Sequence, residues 1–135
     1  MSKAPFDQTI GPWGVEIPFA DLLGIRLVEA THERCIIAID RRPELLNSWG
    51  SAHGGVIMTM LDLVMSIAVR AHYGVASGVA TIDMSVGFLN PGTGNLTAEG
   101  RVLQGGQSTA FCEAEALDES GKILAKAIGT FKRLK

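Results

Sequence analysis

One carboxylate stands out by its position, because Asp62 lies near the middle of an otherwise apolar segment. Val56 to His72 contains neither Gly nor Pro and predicts a helix of roughly four to five turns. A carboxylate there loses hydration unless it is hydrogen-bonded or faces a cleft. We therefore expect Asp62 to act as a general base or nucleophile, the alternative being a structural carboxylate paired with Ser66 or Thr59. The polar residues of the segment share one helix face: Thr59, Asp62, Ser66 and Arg70.

The tripeptide His53-Gly54-Gly55 stands directly before this helix. At a helix N-terminus the backbone N–H groups lack intrahelical acceptors and the dipole is positive, so they can polarise a carbonyl oxygen. Glycine allows close substrate approach, whereas the alternative for His53 is a capping or core role. Asp62 lies about 13 Å beyond His53 along the axis. We therefore expect the two groups to meet across a symmetric dimer with antiparallel central helices and two sites.

Other candidate sites are weaker. The serines lie in no G-x-S-x-G elbow and the histidines lack metal-ligand spacing, so neither a serine triad nor a metal site is expected. Gly105 and Gly106 favour a tight turn, and the alternative is a turn whose exposed backbone holds a ligand amide or phosphate. Cys35 and Cys112 are too few and too far apart for a disulfide scaffold, which favours buried small hydrophobes in a reducing compartment.

Composition bounds the class of protein. The chain has 135 residues, 47% of them hydrophobic, and a formal net charge of -2, which fits one domain with a real core. Without a basic block, nucleic acid is not an expected partner. The N-terminus lacks the apolar core of a signal peptide, and the run from Val56 to Val69 is too short for a membrane span and contains Asp62. We therefore expect a soluble cytoplasmic protein without a membrane partner.

The chain is expected to fold as an irregular lead-in over residues 1–18, anchored by Trp13 alone, followed by a single domain over 19–135. Apolar periodicity and turn residues predict an α+β domain. Its predicted elements are a helix at Phe19–Leu23, strands at Ile25–Thr31 and Arg34–Asp40, a helix at Val56–His72, and strands at Val79–Leu89, Leu96–Leu103, Thr109–Leu117 and Ile123–Arg133.

The long helix is apolar nearly all round, so the strands must wrap it as an antiparallel sheet. Strict alternation in the strand from Val79 places Ile82 and Met84 on one face and Thr81 on the other. Small residues allow close approach of the helix: Ala114, Ala116, Ala125 and Ala127. The opposite sheet face is expected to carry apolar residues that oligomerisation would cover: Phe111, Leu117, Leu124 and Ile128.

The motif Asn47-x-x-Gly50-x-x-His53-Gly54-Gly55, followed by Asp62 inside the helix, resembles the signature of the hotdog-fold acyl-CoA thioesterases. These belong to the 4-hydroxybenzoyl-CoA thioesterase superfamily, and the resemblance is to its PaaI-like, phenylacetate-degradation branch. The stretches 81–91 and 125–131 also resemble that family, so the similarity extends over roughly residues 19–133. It implies a sheet wrapped around one helix, homodimers that usually pair into homotetramers, and metal-independent thioester hydrolysis at sites between subunits.

The resemblance also implies roles for individual residues. Asp62 would activate water or attack the carbonyl, and the Gly54 N–H would polarise the thioester oxygen. Asn47 and His53 would position the acyl group, while a hydroxyl from Thr81, the preferred candidate, or from Ser66 would orient the water or the carboxylate. Substrate contacts are assigned to Gly55 and to the turn that resembles the loop along the pantetheine arm: Gly106, Gln107 and Ser108.

No cofactor is expected, since CoA belongs to the acyl-CoA substrate. Two other functions stay open: a hotdog enoyl-thioester hydratase or dehydratase, and a non-catalytic acyl-CoA-binding or regulatory module. The acyl group is not fixed, because pocket width depends on how a few large side chains meet across a subunit interface. These side chains are Trp49, Met58, Met65 and Phe88.

Overall fold

The computed structural model describes residues 4–6, 8, 11–74 and 78–134. Six strands form one antiparallel sheet in the order β1-β2-β4-β5-β6-β3, and one long helix packs against it. The expected α+β class and hotdog arrangement are confirmed. The elements are α1 (Pro18–Leu23), β1 (Arg26–Ala30), β2 (Cys35–Ile39), a 3-10 turn (Pro43–Leu45), α2 (Gly54–Tyr73), β3 (Val79–Phe88), β4 (Leu96–Gly105), β5 (Thr109–Leu117) and β6 (Ile123–Arg133).

Both ends of α2 have clear causes in the sequence. The His53 side chain caps the first turn, and the helix therefore begins at Gly54, two residues before the predicted start. At the other end Gly74 adopts the left-handed conformation, with φ of 65°, which Gly reaches without steric cost. By length and composition alone α2 could cross a membrane, so the expectation that the apolar run is too short does not hold. Most of its apolar window is nonetheless buried inside the protein.

Small residues bring α2 onto the sheet, as predicted. The expected alanines of β5 and β6 are all buried, and Ala98 of β4 joins them. At Gly100 the helix backbone itself comes close, because a Cβ atom there would lie 3.0 Å from Val64 Cγ1 and 3.1 Å from the Val64 carbonyl oxygen. The helix backbone therefore lies directly on β4 at this point, and larger side chains would hold it away.

A bulge in β3 overturns the strict alternation expected for that strand. In the pairing with β6 the register shifts between Thr81 and Asp83, so Ile82 is an extra residue without a partner. Thr81 pairs with the buried Phe131, and Met84 pairs with Gly129. Thr81 and Met84 therefore face α2 together, whereas Ile82 is 55% exposed.

The outer face of the sheet is partly as predicted. Phe111 and Ile128 are exposed there, but the prediction for Leu124 is wrong. Leu124 is fully buried, packed beneath the turn after β3, and its carbonyl accepts hydrogen bonds from the Leu89 and Asn90 amides. A chain of ion pairs crosses the rest of this face: Glu29, Arg34, Glu99, Arg101, Glu113, Lys126 and Glu115.

The lead-in packs onto the domain through more than the expected anchor. Trp13 is buried as predicted, and Phe6 is buried as well. Cys35 and Cys112 are buried and unpaired, as expected. Burial raises the pKa of each thiol to about 12, because a thiolate is poorly stabilised in apolar surroundings.

Candidate active site

Asp62 is held by the next strand of the chain. Thr81 Oγ1 on β3 donates a hydrogen bond of 2.6 Å to Asp62 Oδ1, and the bulge at Ile82 is what turns Thr81 toward α2. Asp62 Oδ2 has no partner among the described residues. One carboxylate oxygen is therefore oriented by the protein, and the other stays available to a water molecule or a substrate atom.

The two hydroxyls considered as structural partners of Asp62 point elsewhere, so that alternative is wrong. Ser66 Oγ donates to the Leu63 carbonyl at 2.8 Å. Thr59 Oγ1 donates to the Gly55 carbonyl, also at 2.8 Å. Both are ordinary bonds from a helix side chain to the preceding turn. Of the two hydroxyls expected to orient Asp62, only Thr81 contacts it.

At the start of α2, two neighbouring amides differ in their hydrogen bonding. The Gly55 N–H donates to His53 Nδ1 at 2.8 Å, and the Val56 and Ile57 amides bond to the His53 carbonyl. The Gly54 N–H makes no hydrogen bond with any described residue. Gly54 therefore presents the free donor of this first turn at the positive end of the helix dipole.

The His53 side chain is an N-cap, which was the alternative to its role in positioning the acyl group. Because Nδ1 accepts a hydrogen bond, neutral His53 carries its proton on Nε2. The residue is exposed, so its Nε2–H is a further donor that is open to solvent. Gly55, assigned to substrate binding, instead has its amide occupied by His53.

Asn47 organises the loop that precedes the helix. Its Oδ1 accepts from the Trp49 and Ser51 amides at 2.9 and 3.1 Å, and its Nδ2 donates to Ser51 Oγ at 2.9 Å. Gly50, with φ of 79°, closes the turn. The second N–H of Asn47 has no partner among the described residues, so this side chain can hold the loop and still donate one hydrogen bond.

A groove of about 360 Å³ opens beside the free amide. A Cβ on Gly54 would lie 3.6 Å from the Phe88 ring, which forms one wall. Trp49 and Phe88, expected in the pocket, do line it, whereas Met65 is fully buried in the core and does not. The sequence reasoning missed the turn after β3 as a wall. The lining is Asn47, Trp49, Ser51, Ala52, Gly54, Ile57, Phe88, Leu89, Asn90 and Pro91.

The turn assigned to substrate binding lies at the other end of α2. The Tyr73 hydroxyl donates to the Gly106 carbonyl at 2.5 Å, and the Arg133 amide donates to the Ser108 carbonyl at 2.7 Å. Gly106, Gln107 and Ser108 are exposed. Tyr73 is the last residue of α2, at the opposite end from Gly54, and lies about 17 Å beyond Asp62 along the helix axis. Within one chain this turn is therefore far from Gly54.

Asp62 and Gly54 are also apart within one chain. They lie on one unbroken helix, about 12 Å apart along its axis. A larger groove of about 460 Å³ runs along the lead-in and α1 but shares no residue with this site. Within residues 4–6, 8, 11–74 and 78–134, no three His, Cys, Asp or Glu side chains are grouped to hold a metal ion.

Comparison with known proteins places the same region in a family. The profile of the thioesterase superfamily (4HBT) matches residues 50–125. The medium/long-chain acyl-CoA thioesterase YigI of Escherichia coli is 28% identical over 131 residues, covering 85% of this chain and 84% of YigI.

Two solved structures have the same fold. A Shewanella oneidensis protein related to the thioesterase superfamily is 28% identical, with a TM-score of 0.78 over 86% of each chain. PaaI, from the phenylacetic acid degradation operon of Escherichia coli, superposes with a TM-score of 0.80 over 89% of this chain and 86% of PaaI. At 22% identity, the likeness to PaaI shows the fold alone.

Proposed function

The chain belongs to the thioesterase superfamily, and from this premise we propose that it hydrolyses acyl-CoA thioesters to a free acid and CoA. The observation that carries the proposal is the pairing of a free amide at Gly54 with a carboxylate at Asp62 that has one free oxygen. The amide can donate a hydrogen bond to a developing oxyanion, and the carboxylate can activate a water molecule or attack the carbonyl carbon. A thiolate leaves readily, so these two groups can suffice.

The site is shared between two subunits in this proposal. Gly54 and Asp62 lie on one rigid helix and cannot meet, but an antiparallel partner helix would bring Gly54 of one chain to Asp62 of the other. The long strand β3 supports this arrangement, because it is an edge of the sheet and it carries Thr81, the hydrogen-bond partner of Asp62. A partner chain docked along this edge would lie against Asp62, and a homotetramer would cover the outer face of the sheet.

In the base route, Asp62 Oδ2 removes a proton from water as the water oxygen attacks the thioester carbon. The carbonyl oxygen becomes an oxyanion that accepts hydrogen bonds from the Gly54 amide and from the free donors of His53 and Asn47. When the oxyanion collapses, the carbon–sulfur bond breaks and the proton on Asp62 passes to the CoA thiolate. Thr81 keeps Oδ1 oriented throughout, and no cofactor is required.

In the nucleophile route, Asp62 itself attacks the carbon and expels the thiolate, which takes a proton from solvent. Water then attacks Asp62 Cγ in the resulting mixed anhydride, so the acid leaves with one former Asp62 oxygen and the Asp62 carboxylate keeps the oxygen of the water. The two routes differ in a single turnover in ¹⁸O-labelled water with enzyme in excess. The base route places ¹⁸O in the acid product at once. Label found first in Asp62 would identify the nucleophile route instead.

The substrate would run in two directions from the reacting carbon. The acyl group would enter the groove beside Gly54 of one subunit. The CoA arm would follow the helix of the subunit that supplies Asp62, toward its turn at Gly106, Gln107 and Ser108. The chemistry named for YigI supports a medium or long acyl chain, and the motif from Asn47 to Gly55, with Asp62 inside the helix, supports the PaaI-like branch. We place the activity in the cytoplasm.

The test is release of free thiol from phenylacetyl-, hydroxybenzoyl-, hexanoyl- and palmitoyl-CoA. Asp62→Asn should lower kcat about a thousandfold while substrate binding is retained. Asp83→Asn is the matched control, because Asp83 lies on the same strand as Thr81 but on its outer face. The buried thiols of Cys35 and Cys112 should not react with the thiol reagent in the folded protein.

The same assay separates the alternatives. A binding or regulatory module would bind the panel without releasing thiol from any member. A hydratase would change the absorbance of an enoyl-CoA with the thioester intact. Either result from folded wild-type protein would overturn hydrolysis.

A further inference from the structure

The loop over residues 47–51 presents a large aromatic side chain to solvent. Trp49 is 89% exposed, whereas the second tryptophan of the chain, Trp13, is 1% exposed. The loop is closed by Asn47, whose Oδ1 accepts hydrogen bonds from the Trp49 and Ser51 amides and whose Nδ2 donates to Ser51 Oγ. The backbone that carries the indole is therefore fixed, while the indole itself lies outside the core. An exposed aromatic ring on a fixed backbone is typical of a binding surface.

Trp49 and Gly54 together indicate how a substrate would lie along this surface. Both residues line the groove of about 360 Å³, and Phe88, which also lines it, lies against Gly54. If the Gly54 amide binds the thioester oxygen, the reacting carbon lies at the Gly54 end of the groove. Whatever is attached to that carbon on the acyl side then extends between Phe88 and Trp49.

The residues that line the groove also indicate which kind of chemical group can bind in it. None of its ten lining residues is charged, and its largest side chains are Trp49, Phe88, Leu89 and Ile57. The lining offers no cation to bind a phosphate group, whereas its aromatic and aliphatic side chains can pack against a hydrocarbon chain. Its volume is near the lower end of the roughly 300–1,000 Å³ range of small-molecule sites, which suits one acyl chain of moderate length.

We propose that Trp49 is a specificity-determining residue, whose indole contacts the distal carbons of a medium-length acyl chain. The proposal rests on the proposed thioester hydrolysis and adds which part of the substrate the groove takes. A short acyl group, such as acetyl or butyryl, would end before it reaches the indole. A chain of about eight to ten carbons would lie against the indole, so Trp49 would raise turnover more for long chains than for short ones.

The first experiment measures kcat/KM for acetyl-, butyryl-, hexanoyl- and decanoyl-CoA. Trp49→Ala should lower the ratio of decanoyl to butyryl values about tenfold, and Trp49→Phe should restore part of it. Leu22→Ala is the matched control, since Leu22 is 71% exposed on α1 and outside the groove. An unchanged ratio in Trp49→Ala, with wild type hydrolysing these substrates, would overturn the role of Trp49 and leave the hydrolysis intact.

The second experiment observes Trp49 directly and needs no turnover. Trp13 is buried, so iodide should quench chiefly the fluorescence of Trp49. In the Asp62→Asn protein, decanoyl-CoA should protect Trp49 from iodide, while acetyl-CoA and free CoA should not. Equal protection by free CoA would place the CoA arm at Trp49. Protection without any ligand would mean that a partner subunit covers it. Either result would overturn the proposal.

Discussion

The two ends of α2 differ in whether their polar groups are hydrogen-bonded within the protein. At the N-terminal end, the Gly54 amide has no acceptor among the described residues and faces an open groove. At the C-terminal end, the Gly74 amide bonds to the Arg70 carbonyl and the Tyr73 hydroxyl bonds to the Gly106 carbonyl. The Arg133 guanidinium stacks on the Tyr73 ring at 4.7 Å.

This difference fits the proposed roles of the two ends. An amide that the protein leaves without an acceptor in an open groove can donate to a substrate oxygen, so the Gly54 end is the one expected to meet the thioester carbonyl. The C-terminal end uses its polar groups to fix the hairpin between β4 and β5. Variants at the first end should therefore change kcat, and variants at the second should change stability and KM.

The largest effect in this comparison is expected from Gly54→Pro. Proline is favoured at the first helical position, and His53 before it, with φ of -60° and ψ of 138°, has the extended backbone that proline requires. The variant should keep the helix but lose the amide proton, and kcat should fall about a hundredfold or more. Gly54→Ala retains the amide and is the control. Equal activity of the two variants would contradict the role of the amide.

The same variant tests whether the site is shared. Homodimers of Gly54→Pro and of Asp62→Asn should both be nearly inactive. After the two proteins are mixed and allowed to exchange subunits, each mixed dimer would contain one intact site. About a quarter of wild-type activity should return. Continued inactivity, despite subunit exchange verified by mass spectrometry, would place both groups in one chain.

A smaller effect is expected at Thr81, which connects β3 to Asp62. Thr81→Val preserves the shape of the side chain but removes the hydroxyl that orients Oδ1, so kcat should fall about tenfold. Thr81→Ser keeps the hydroxyl and should recover most of the rate. Thermal unfolding of the three proteins serves as the check. If Ser and Val variants lose the same activity, packing of the methyl group matters rather than the hydrogen bond.

His53 should show a stability effect that can be separated from its proposed catalytic role. His53→Ala removes the side-chain cap and should lower the free energy of unfolding by about 1 kcal/mol. His53→Asn supplies another capping side chain, so stability should return while the Nε2 donor stays absent. Denaturant titration and kcat measured on both variants separate the two roles. Full activity in His53→Asn would restrict His53 to capping.

The smallest effect is expected at the closed end of the helix. Tyr73→Phe removes the hydrogen bond to Gly106 but keeps the ring under Arg133, so stability should fall by about 1 kcal/mol. If the turn at 106–108 holds the CoA arm, KM for acyl-CoA should rise about twofold with kcat unchanged. A fall in kcat would contradict the division between the two ends.

Much of this architecture could be predicted because it depends on local patterns. The apolar helix, the turn residues and the strand periods are properties of short segments, and Asp62 is conspicuous in its segment. The capping role of His53 was an alternative suggested by its place before a helix. Thr81 was identified only through the family resemblance. Strict alternation along its strand placed it on the face opposite Met84, away from α2.

The features that escaped prediction depend on pairings between distant segments. The bulge at Ile82 exists only in the register with β6, and nothing within the strand itself reveals it. Leu124 is buried because the turn after β3 folds over it. Met65, expected in the pocket, faces the sheet because Gly129 leaves space for its methyl group. Each of these is decided by tertiary packing rather than by periodicity.

The contact between Gly100 and the backbone of Val64 also limits how the molecule moves. Where two backbones touch without intervening side chains, neither sliding nor rocking can occur without breaking the contact. The amides of α2 around Val64 should therefore exchange hydrogen for deuterium only through rare, nearly global opening. The loop at 47–51 is held by its own hydrogen bonds rather than by a backbone contact of this kind, so its amides should exchange sooner, through local opening. Substrate entry would then depend on the side chains that line the groove, over a helix that stays still.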